Sequence, residues 1–225
     1  MPSLKVIIKQ NPGYFICLLL FFLSASYICL FYSKAEGFYL LNPYHNDAAT
    51  AFFIFFTFLG DGLFCVAVGI ALFFFNRRYL SVLVISSFLL SGLIVQVLKY
   101  FIIEARPAVF LKEGTYKYFI DEVTLHNFHT FPSGHTASAF ALATVLAVVL
   151  SNRPGGIIFL LIAILVGYSR IYLGQHFLID VLFGALIGVV SAMACLYVFR
   201  KDTGFFKKRF NYFSSNVTDI SNSQQ

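Results

Sequence analysis

Charged residues are scarce in this sequence. Asp, Glu, Lys and Arg make up 12% of its 225 residues, whereas soluble globular domains carry roughly 25%. Apolar residues make up 59%, and the mean hydropathy is +0.82. This composition excludes an ordinary soluble domain, and we expect the chain to have a lipid bilayer as its solvent.

Tryptophan is absent and cysteine is rare. The four cysteines, which all lie within apolar runs, are Cys17, Cys29, Cys65 and Cys195. Their spacing matches neither a zinc site nor a disulfide framework, so we expect small core residues that say nothing about redox compartment. Phe and Tyr are abundant, and many tyrosines stand near the ends of apolar runs, which is typical of a membrane-interface belt.

Six apolar runs approach the length of ~20 residues that a membrane-spanning helix needs. They cover residues 14–32, 50–75, 79–103, 135–151, 155–173 and 176–199. We therefore predict an all-α protein, a bundle of six transmembrane helices without a separate soluble domain. This membrane domain is residues 14–199, after a cytoplasmic segment (1–13) and before a basic, then disordered, cytoplasmic tail (200–225).

The net charge of +6 comes from basic residues that cluster between the apolar runs. If six spans alternate, ten Lys and Arg residues fall on one side and six on the other. Basic residues accumulate on the cytoplasmic side of membrane proteins. This bias predicts cytoplasmic termini and outward-facing segments 33–49, 104–134 and 174–175. Membrane orientation also accounts for the positive net charge, so we do not expect nucleic acid to be a partner.

Three polar stretches lie at the outward ends of the third to sixth predicted spans. Their candidate site residues are Lys99 and Arg106 in the first stretch, Ser133, Gly134 and His135 in the second, and Arg170, His176 and Asp180 in the third. Alternation of the spans brings these distant stretches into one layer, where we expect the active site. Lys99, Arg106 and Arg170 place three cations on the side that should have few, which indicates an anionic ligand such as phosphate. For each cation by itself, the alternative is a long side chain reaching the membrane interface.

The stretch Pro132-Ser133-Gly134-His135 leads into the fourth predicted span. The first amide groups of a helix have no partner within the helix and carry partial positive charge, and a glycine lets an anion approach the backbone. Ser133 and Gly134 therefore indicate an anion site, with an ordinary serine N-cap and turn glycine as the alternative. His135, beside the expected anion, is placed to donate a proton to a leaving oxygen.

His176 and Asp180 stand four residues apart, so on a helix they share one face. A lone carboxylate near the hydrocarbon region is costly and is usually functional or paired. Donation from the Nδ1–H of His176 to Asp180 would satisfy the acid and leave Nε2 free as a nucleophile. A purely structural His–Asp pair is the alternative.

In order and spacing, these stretches resemble the three-part signature of the type 2 phosphatidic acid phosphatase (PAP2) superfamily, which also includes vanadium haloperoxidases. The eleven matching residues are Lys99, Arg106, Pro107, Pro132, Ser133, Gly134, His135, Ser169, Arg170, His176 and Asp180. Each fragment is weak alone, but the set is specific. The helices around it extend the resemblance over most of the chain.

The resemblance implies a role for each candidate site residue. His176 would attack phosphorus and form a phosphohistidine, and Asp180 would orient and stabilise it. His135 would protonate the leaving group and then activate water. The phosphate oxygens would be held by Lys99, Arg106, Arg170, Ser133 and the Gly134 amide. The resemblance to the phosphatases of the family implies a reaction without a metal, and the outward side of this sequence has no carboxylate cluster suited to Mg²⁺. We therefore expect no cofactor.

We therefore expect a metal-independent membrane phosphatase that acts on a lipid phosphate or diphosphate from the non-cytoplasmic side, in a bacterial inner membrane. Substrates within the superfamily include undecaprenyl diphosphate, phosphatidic acid, phosphatidylglycerol phosphate and lipid A phosphates, and the sequence does not rank them. The alternatives are a lipid phosphotransferase and a non-enzymatic protein that binds lipid phosphates. Membrane lipids are the other expected partners, and the oligomeric state is left open.

Two further features stand outside the signature. Asp61 falls near the middle of the second predicted span, where an acid indicates a functional residue or one that flanking glycines bring to a polar neighbour by kinking the helix. His126 and His129 have a spacing that zinc can use, but no other ligand stands nearby, so we expect ordinary loop histidines.

Overall fold

A computed structural model describes residues 4–111, 128–150 and 154–199. In these ranges the regular secondary structure is helical, apart from one isolated bridge between Ala105 and Phe128. The helices are α1 (Leu4–Gln10), α2 (Pro12–Phe31), α3 (Lys34–Leu41), α4 (Asp47–Phe58), α5 (Gly62–Phe74), α6 (Arg78–Phe101), α7 (Pro107–Phe110), α8 (Gly134–Leu150), α9 (Pro154–Tyr172) and α10 (Leu178–Phe199). The expected tail (200–225) and His126 lie outside the described residues.

Four helices, α2, α6, α9 and α10, are long and apolar enough to cross a membrane. Helices α4 and α5 pass the same test together and form a pair bent by 55°, which raises the number of spans to five. Helix α8 is also apolar but has only 17 residues. The all-helical membrane architecture is therefore confirmed, while the count of six spans stays a prediction.

The second predicted span, 50–75, is two helices with a break between them. Asp61 ends the break as the N-cap of α5, and its Oδ1 accepts a hydrogen bond of 2.8 Å from the amide of Leu63. Glycines on both sides of Asp61 weaken the helix, and a carboxylate is among the best N-caps. The kinked alternative for this segment is the one that the structure adopts.

The segment expected as the first outer loop contains a helix, α3. Ser33 and Glu36 form a capping box: the amide of Glu36 donates to the Ser33 hydroxyl, and the amide of Ser33 donates to the Glu36 carboxylate at 2.9 Å. Two helix-end donors are satisfied in this way, which stabilises a short helix in this segment. Phe38 of α3 packs beside Phe177, close to the expected site.

Helix α8 is the centre of the bundle and packs against α6, α9 and α10. Its alanines permit the close packing expected of small residues in membrane helices. Glycines on α10 make the approach closer still. A Cβ at Gly184 would lie 2.5 Å from the carbonyl oxygen of Ser133, and one at Gly188 would lie 2.4 Å from that of Ala137. The start of α10 is thereby held against the start of α8.

The two ends of the bundle differ in character. At one end, Ile7 of α1, Leu80 of α6 and Val149 of α8 belong to one buried apolar cluster. The other end carries the final turns of α6 and α9 and the first turns of α8 and α10. The predicted signature residues lie on those four turns and the segments that join them, so the fold collects them at this second end.

Candidate active site

The connection between α9 and α10 positions His176. Gly174 has φ 65°, a left-handed conformation that glycine adopts without strain, and it ends α9. The amides of Gln175 and His176 then both donate to the carbonyl oxygen of Arg170, at 2.9 and 3.1 Å. The turn therefore fixes His176 directly beside the last turn of α9, which carries Arg170.

Asp180 is fully buried, and one of its carboxylate oxygens accepts more than one hydrogen bond. Its Oδ2 accepts hydrogen bonds from the Thr130 hydroxyl at 2.5 Å and from the Phe177 amide at 2.8 Å. The Nδ1 of His176 lies 3.5 Å from the same oxygen and 3.2 Å from the Thr130 hydroxyl oxygen. Asp180 Oδ1 is buried without a hydrogen-bond partner among the described residues.

This network favours one tautomer of His176. The Thr130 proton goes to Asp180, so the Thr130 oxygen is free to accept from Nδ1–H, and the carboxylate also attracts a proton to that nitrogen. Nε2 then carries the lone pair. Burial, opposed by Asp180, lowers the pKa of His176 to about 4. The free imidazole is therefore neutral at neutral pH, the form in which it can act as a nucleophile.

The three predicted cations, Lys99, Arg106 and Arg170, form what we call the cation cluster. Arg106 donates through Nη1 to Gln175 at 2.7 Å and through Nε to the Phe128 carbonyl at 3.2 Å. Lys99 donates to the His129 carbonyl at 2.5 Å, and Arg170 donates to the Thr57 hydroxyl at 2.5 Å. These acceptors are all neutral.

The cation cluster has no carboxylate partner within 4.0 Å in the described part of the chain. The basic side chains within that distance of a carboxylate there are Lys34 (Glu104), His135 (Asp61) and His176 (Asp180). Arg106 and Arg170 are nevertheless almost entirely buried, and the Nε of Arg170 has no hydrogen-bond partner there. Burial lowers the pKa of Arg106, and the charge of Asp180 opposes that shift. Such a site gains by admitting an anion, because guanidinium groups stay charged in proteins.

The start of α8 lies against the start of α10. The Ser133 amide donates to the Asp180 carbonyl oxygen at 3.0 Å, while the Ser133 hydroxyl accepts from the Thr136 amide and hydroxyl. Ser133 thus caps the helix, as in the alternative that we gave for this stretch. Gly134 provides the first amide of α8, and a helix start attracts anions.

His135 follows Gly134 and lies within electrostatic range of Arg106, Arg170 and His176. Both candidate histidines therefore belong to one cluster at one end of the bundle. No carboxylate stands near His135 in the sequence. Its Nε2 in fact lies 4.0 Å from the Oδ2 of Asp61, at the break between α4 and α5.

Three site residues are absent from our sequence predictions: Thr130, Gln175 and Thr57. Gln175 and Thr130 stand close in sequence to His176 and His135, which is the signal that could have drawn attention to them. Thr57 offers no such signal, because it contacts Arg170 across 113 residues. His129 uses its ring Nδ1 for the Lys99 carbonyl at 2.9 Å, and the described residues contain no group of three potential metal ligands.

Relatives of known name share both the sequence and the fold. Residues 80–203 match the model of the PAP2 superfamily. An undecaprenyl-diphosphatase of Sulfolobus acidocaldarius is 30% identical over 204 residues, which cover 87% of this chain and 94% of that protein. The crystal structure of Aquifex aeolicus LpxE has a TM-score of 0.61 and 35% identity, covering 71% of this chain and 92% of that one.

A second solved structure covers more of the chain. The transmembrane PAP2 type phosphatidylglycerolphosphate phosphatase from Bacillus subtilis has a TM-score of 0.60 and 25% identity, covering 84% of this chain and 96% of that one. The family match includes more than half of the chain, and the match to the archaeal relative includes nearly all of it. This chain belongs to the PAP2 superfamily and is a membrane phosphatase, a phosphoric ester hydrolase of that family.

Proposed function

We propose that the protein hydrolyses the phosphate or diphosphate group of a membrane lipid through a phosphohistidine on His176. The observation that carries the proposal is the cation cluster, which is largely buried, lacks a carboxylate partner in the described chain, and adjoins a buried His–Asp pair. A phosphate group supplies the missing negative charge, and it places phosphorus beside a neutral imidazole.

The reaction proceeds in two displacements. In the first, Nε2 of His176 forms a bond to phosphorus, the bond from phosphorus to the leaving oxygen breaks, and His135 gives that oxygen a proton. In the second, water attacks the phosphohistidine, His135 accepts a proton from the water, and phosphate leaves. The cation cluster stabilises the charge on the non-bridging oxygens, which is the main requirement of phosphoryl transfer. Asp180 stabilises the positive charge that His176 acquires.

An apolar cleft beside the site supports a lipid substrate. The cleft has a volume of about 280 Å³ and is lined by apolar residues of α5, α8 and α9, together with Leu59. The cleft adjoins the site at Gly60, which follows its lining residue Leu59. A Cβ at Gly60 would lie 2.5 Å from Val166 of the cleft and 2.8 Å from the His135 carbonyl oxygen. A hydrocarbon chain in this cleft would leave its phosphate at the cation cluster. The named relatives act on undecaprenyl diphosphate and phosphatidylglycerolphosphate.

We further propose that the site faces the non-cytoplasmic side of a bacterial inner membrane, with both termini in the cytoplasm. Arg77 and Arg78 lie at the turn between α5 and α6, at the end of the bundle opposite the cation cluster. The basic residues beyond α10 belong to that same side in an alternating topology. Excess Lys and Arg marks the cytoplasmic side. The basic residues of the site are engaged in binding phosphate.

The decisive experiment measures phosphate release by the purified protein, in EDTA, from a panel of lipid monophosphates and diphosphates. Wild type is compared with His176→Ala and with the control His45→Ala, which removes an imidazole stacked on Tyr172 at the same end of the bundle. We expect turnover by wild type and His45→Ala, and none above background by His176→Ala. An acid-labile, alkali-stable phosphoryl label should form on wild type and on His45→Ala, but not on His176→Ala.

Equal turnover by His176→Ala and wild type would remove the proposed nucleophile. Transfer of a radiolabelled phosphoryl group to a second lipid, with no free phosphate, would indicate a phosphotransferase instead. Binding of every lipid without any turnover would favour a non-enzymatic role.

A further inference from the structure

The break between α4 and α5 brings an acid to His135. Asp61 uses Oδ1 to cap α5, where the Leu63 amide donates at 2.8 Å. Its second oxygen, Oδ2, lies 4.0 Å from the Nε2 of His135. Both side chains are partly open, with 41% of Asp61 and 34% of His135 exposed. Catalytic hydrogen bonds are often long before the substrate arrives, so this separation is one that substrate binding can close.

Close packing at the break holds the two residues together. A Cβ at Gly60 would lie 2.8 Å from the His135 carbonyl oxygen and 3.2 Å from the His135 Cβ, so only glycine lets the break approach α8 this closely. One turn earlier, the Thr57 hydroxyl accepts the hydrogen bond from Arg170. Gly60 in the break thus lies against α8, and Thr57 just before the break contacts α9; both helices carry site residues.

The positive charges around His135 oppose its protonation, and a nearby carboxylate would counter them. His135 lies within electrostatic range of four groups: Arg170 on α9, Lys99 on α6, Arg106 just after α6, and the His176 ring. A general acid must carry its proton before it can give it away, and a protonated imidazole here adds a positive charge beside the cation cluster. Asp61 is the carboxylate that lies within 4.0 Å of the His135 ring in the described chain, and the contact becomes an ion pair when the ring takes up its proton.

Resting on the function proposed above, we infer that Asp61 is a positioning residue that holds His135 as the proton donor to the leaving oxygen. In the protonated ring both nitrogens carry hydrogen. Nε2–H faces Asp61, and Nδ1, which makes no hydrogen bond in the described part of the chain, is left for the substrate. The proton passes from Nδ1 to the leaving oxygen, and His135 regains one from the attacking water. Asp61 neither gives nor takes a proton in either step.

The test uses Asp61→Asn, which removes the charge but keeps the size and the helix cap, because Asn and Asp cap equally well. Asp47→Asn is the matched control: it removes the same charge from an exposed position in the first turn of α4. Each protein is assayed on a long-chain alkyl phosphate, whose alkoxide leaves only with a proton, and on p-nitrophenyl phosphate, whose phenolate leaves without one. Thermal unfolding in detergent checks the fold of every variant.

General acid catalysis contributes roughly 10²–10⁴-fold, so we expect Asp61→Asn to lower kcat on the alkyl phosphate by about 10- to 100-fold. KM and the rate on p-nitrophenyl phosphate should change little. The alkaline limb of the kcat profile should move to lower pH, because the charge on His135 is no longer balanced. Asp61→Glu, which keeps the carboxylate, should restore part of the rate. In a His135→Ala background, Asp61→Asn should cause no additional loss.

Two outcomes overturn the inference and leave the proposed function intact. One is that Asp61→Asn matches Asp47→Asn on both substrates while wild type is active. The other is an equal fall on both substrates with an unchanged pH profile, which a structural role would produce. If wild type releases phosphate from neither substrate nor from any lipid of the panel, the proposed function fails and the inference fails with it.

Discussion

Thr130 offers a sharp test of the His176 network. Its hydroxyl donates to Asp180 at 2.5 Å and lies 3.2 Å from the Nδ1 of His176, and all three residues are almost wholly buried. Thr130→Val replaces the hydroxyl with a methyl group of similar size. The substitution leaves Asp180 Oδ2 with the Phe177 amide and the imidazole, while its Oδ1 has no partner among the described residues.

The size of the effect follows from the charge on the acceptor. A hydrogen bond to a charged group contributes about 1.5–3 kcal/mol, and 1.36 kcal/mol corresponds to a tenfold change in rate. We therefore expect kcat/KM to fall by roughly 10- to 150-fold, if the interaction is strongest when His176 becomes positive. The loss should appear in kcat, because Thr130 donates to Asp180 and not to the cation cluster that binds substrate.

The assay measures kcat and KM for lipid phosphate hydrolysis, together with the unfolding temperature in detergent. Thr130→Ser keeps the hydroxyl and should retain most of the activity. Thr144→Val is the matched control, since Thr144 is also buried and donates to the Phe140 carbonyl at 2.7 Å, but it faces Tyr14 within the bundle. That control should lower stability without lowering kcat. Wild-type kcat in Thr130→Val, with a normal fold, would refute the proposed network.

Two further predictions concern pH and packing. Because burial lowers the pKa of His176 to about 4, kcat/KM corrected for substrate ionisation should hold down to about pH 5, whereas a limb near the ordinary histidine value of ~6.5 would contradict it. In the unfolded chain His176 has the ordinary histidine pKa of ~6.5 and therefore binds its proton at a higher pH than in the folded protein. The unfolding temperature should therefore also fall as the pH drops from ~6.5 towards the folded-state pKa of about 4. Gly184→Ala should lower both unfolding temperature and kcat, since its Cβ would meet the Ser133 carbonyl at 2.5 Å, while Gly92→Ala, with no atom within 4 Å, should be neutral or stabilising. Equal behaviour of the two alanine variants would count against close packing of α8 and α10.

The overall architecture follows from the sequence for simple reasons. Long apolar runs separated by short polar segments indicate where helices cross a bilayer. Such runs are stable in hydrocarbon, and a helix satisfies their backbone hydrogen bonds there. Alternation of the spans then places Lys99, Arg106, His135 and Arg170 at one end, and this convergence needs no knowledge of how the helices pack. The helix starts and ends carry local signals as well, such as the Gly174 turn before His176.

The remaining features depend on contacts that local patterns do not specify. Asp61 stands in an apolar run, so the sequence suggested a break but not its angle or its neighbour. Its contact with His135 spans 74 residues and depends on how closely α8 approaches Gly60. Thr57 is still more remote from Arg170, at 113 residues along the chain. Threonines are common in membrane helices, and only packing selects the ones that serve the site.

The two candidate histidines have opposed surroundings, and this difference supports opposed roles. His176 is buried, and its acid Asp180 is fully buried and engaged by Thr130 and the Phe177 amide. Desolvation keeps such an imidazole neutral, as a nucleophile requires. The side chains of His135 and Asp61 are both partly exposed, by 34% and 41%, so water and substrate can reach that pair. A proton donor that must be recharged in every cycle needs such access, whereas a nucleophile needs a dry, fixed position. We therefore propose that the bent α4–α5 pair completes the site by giving the second histidine an acid of its own.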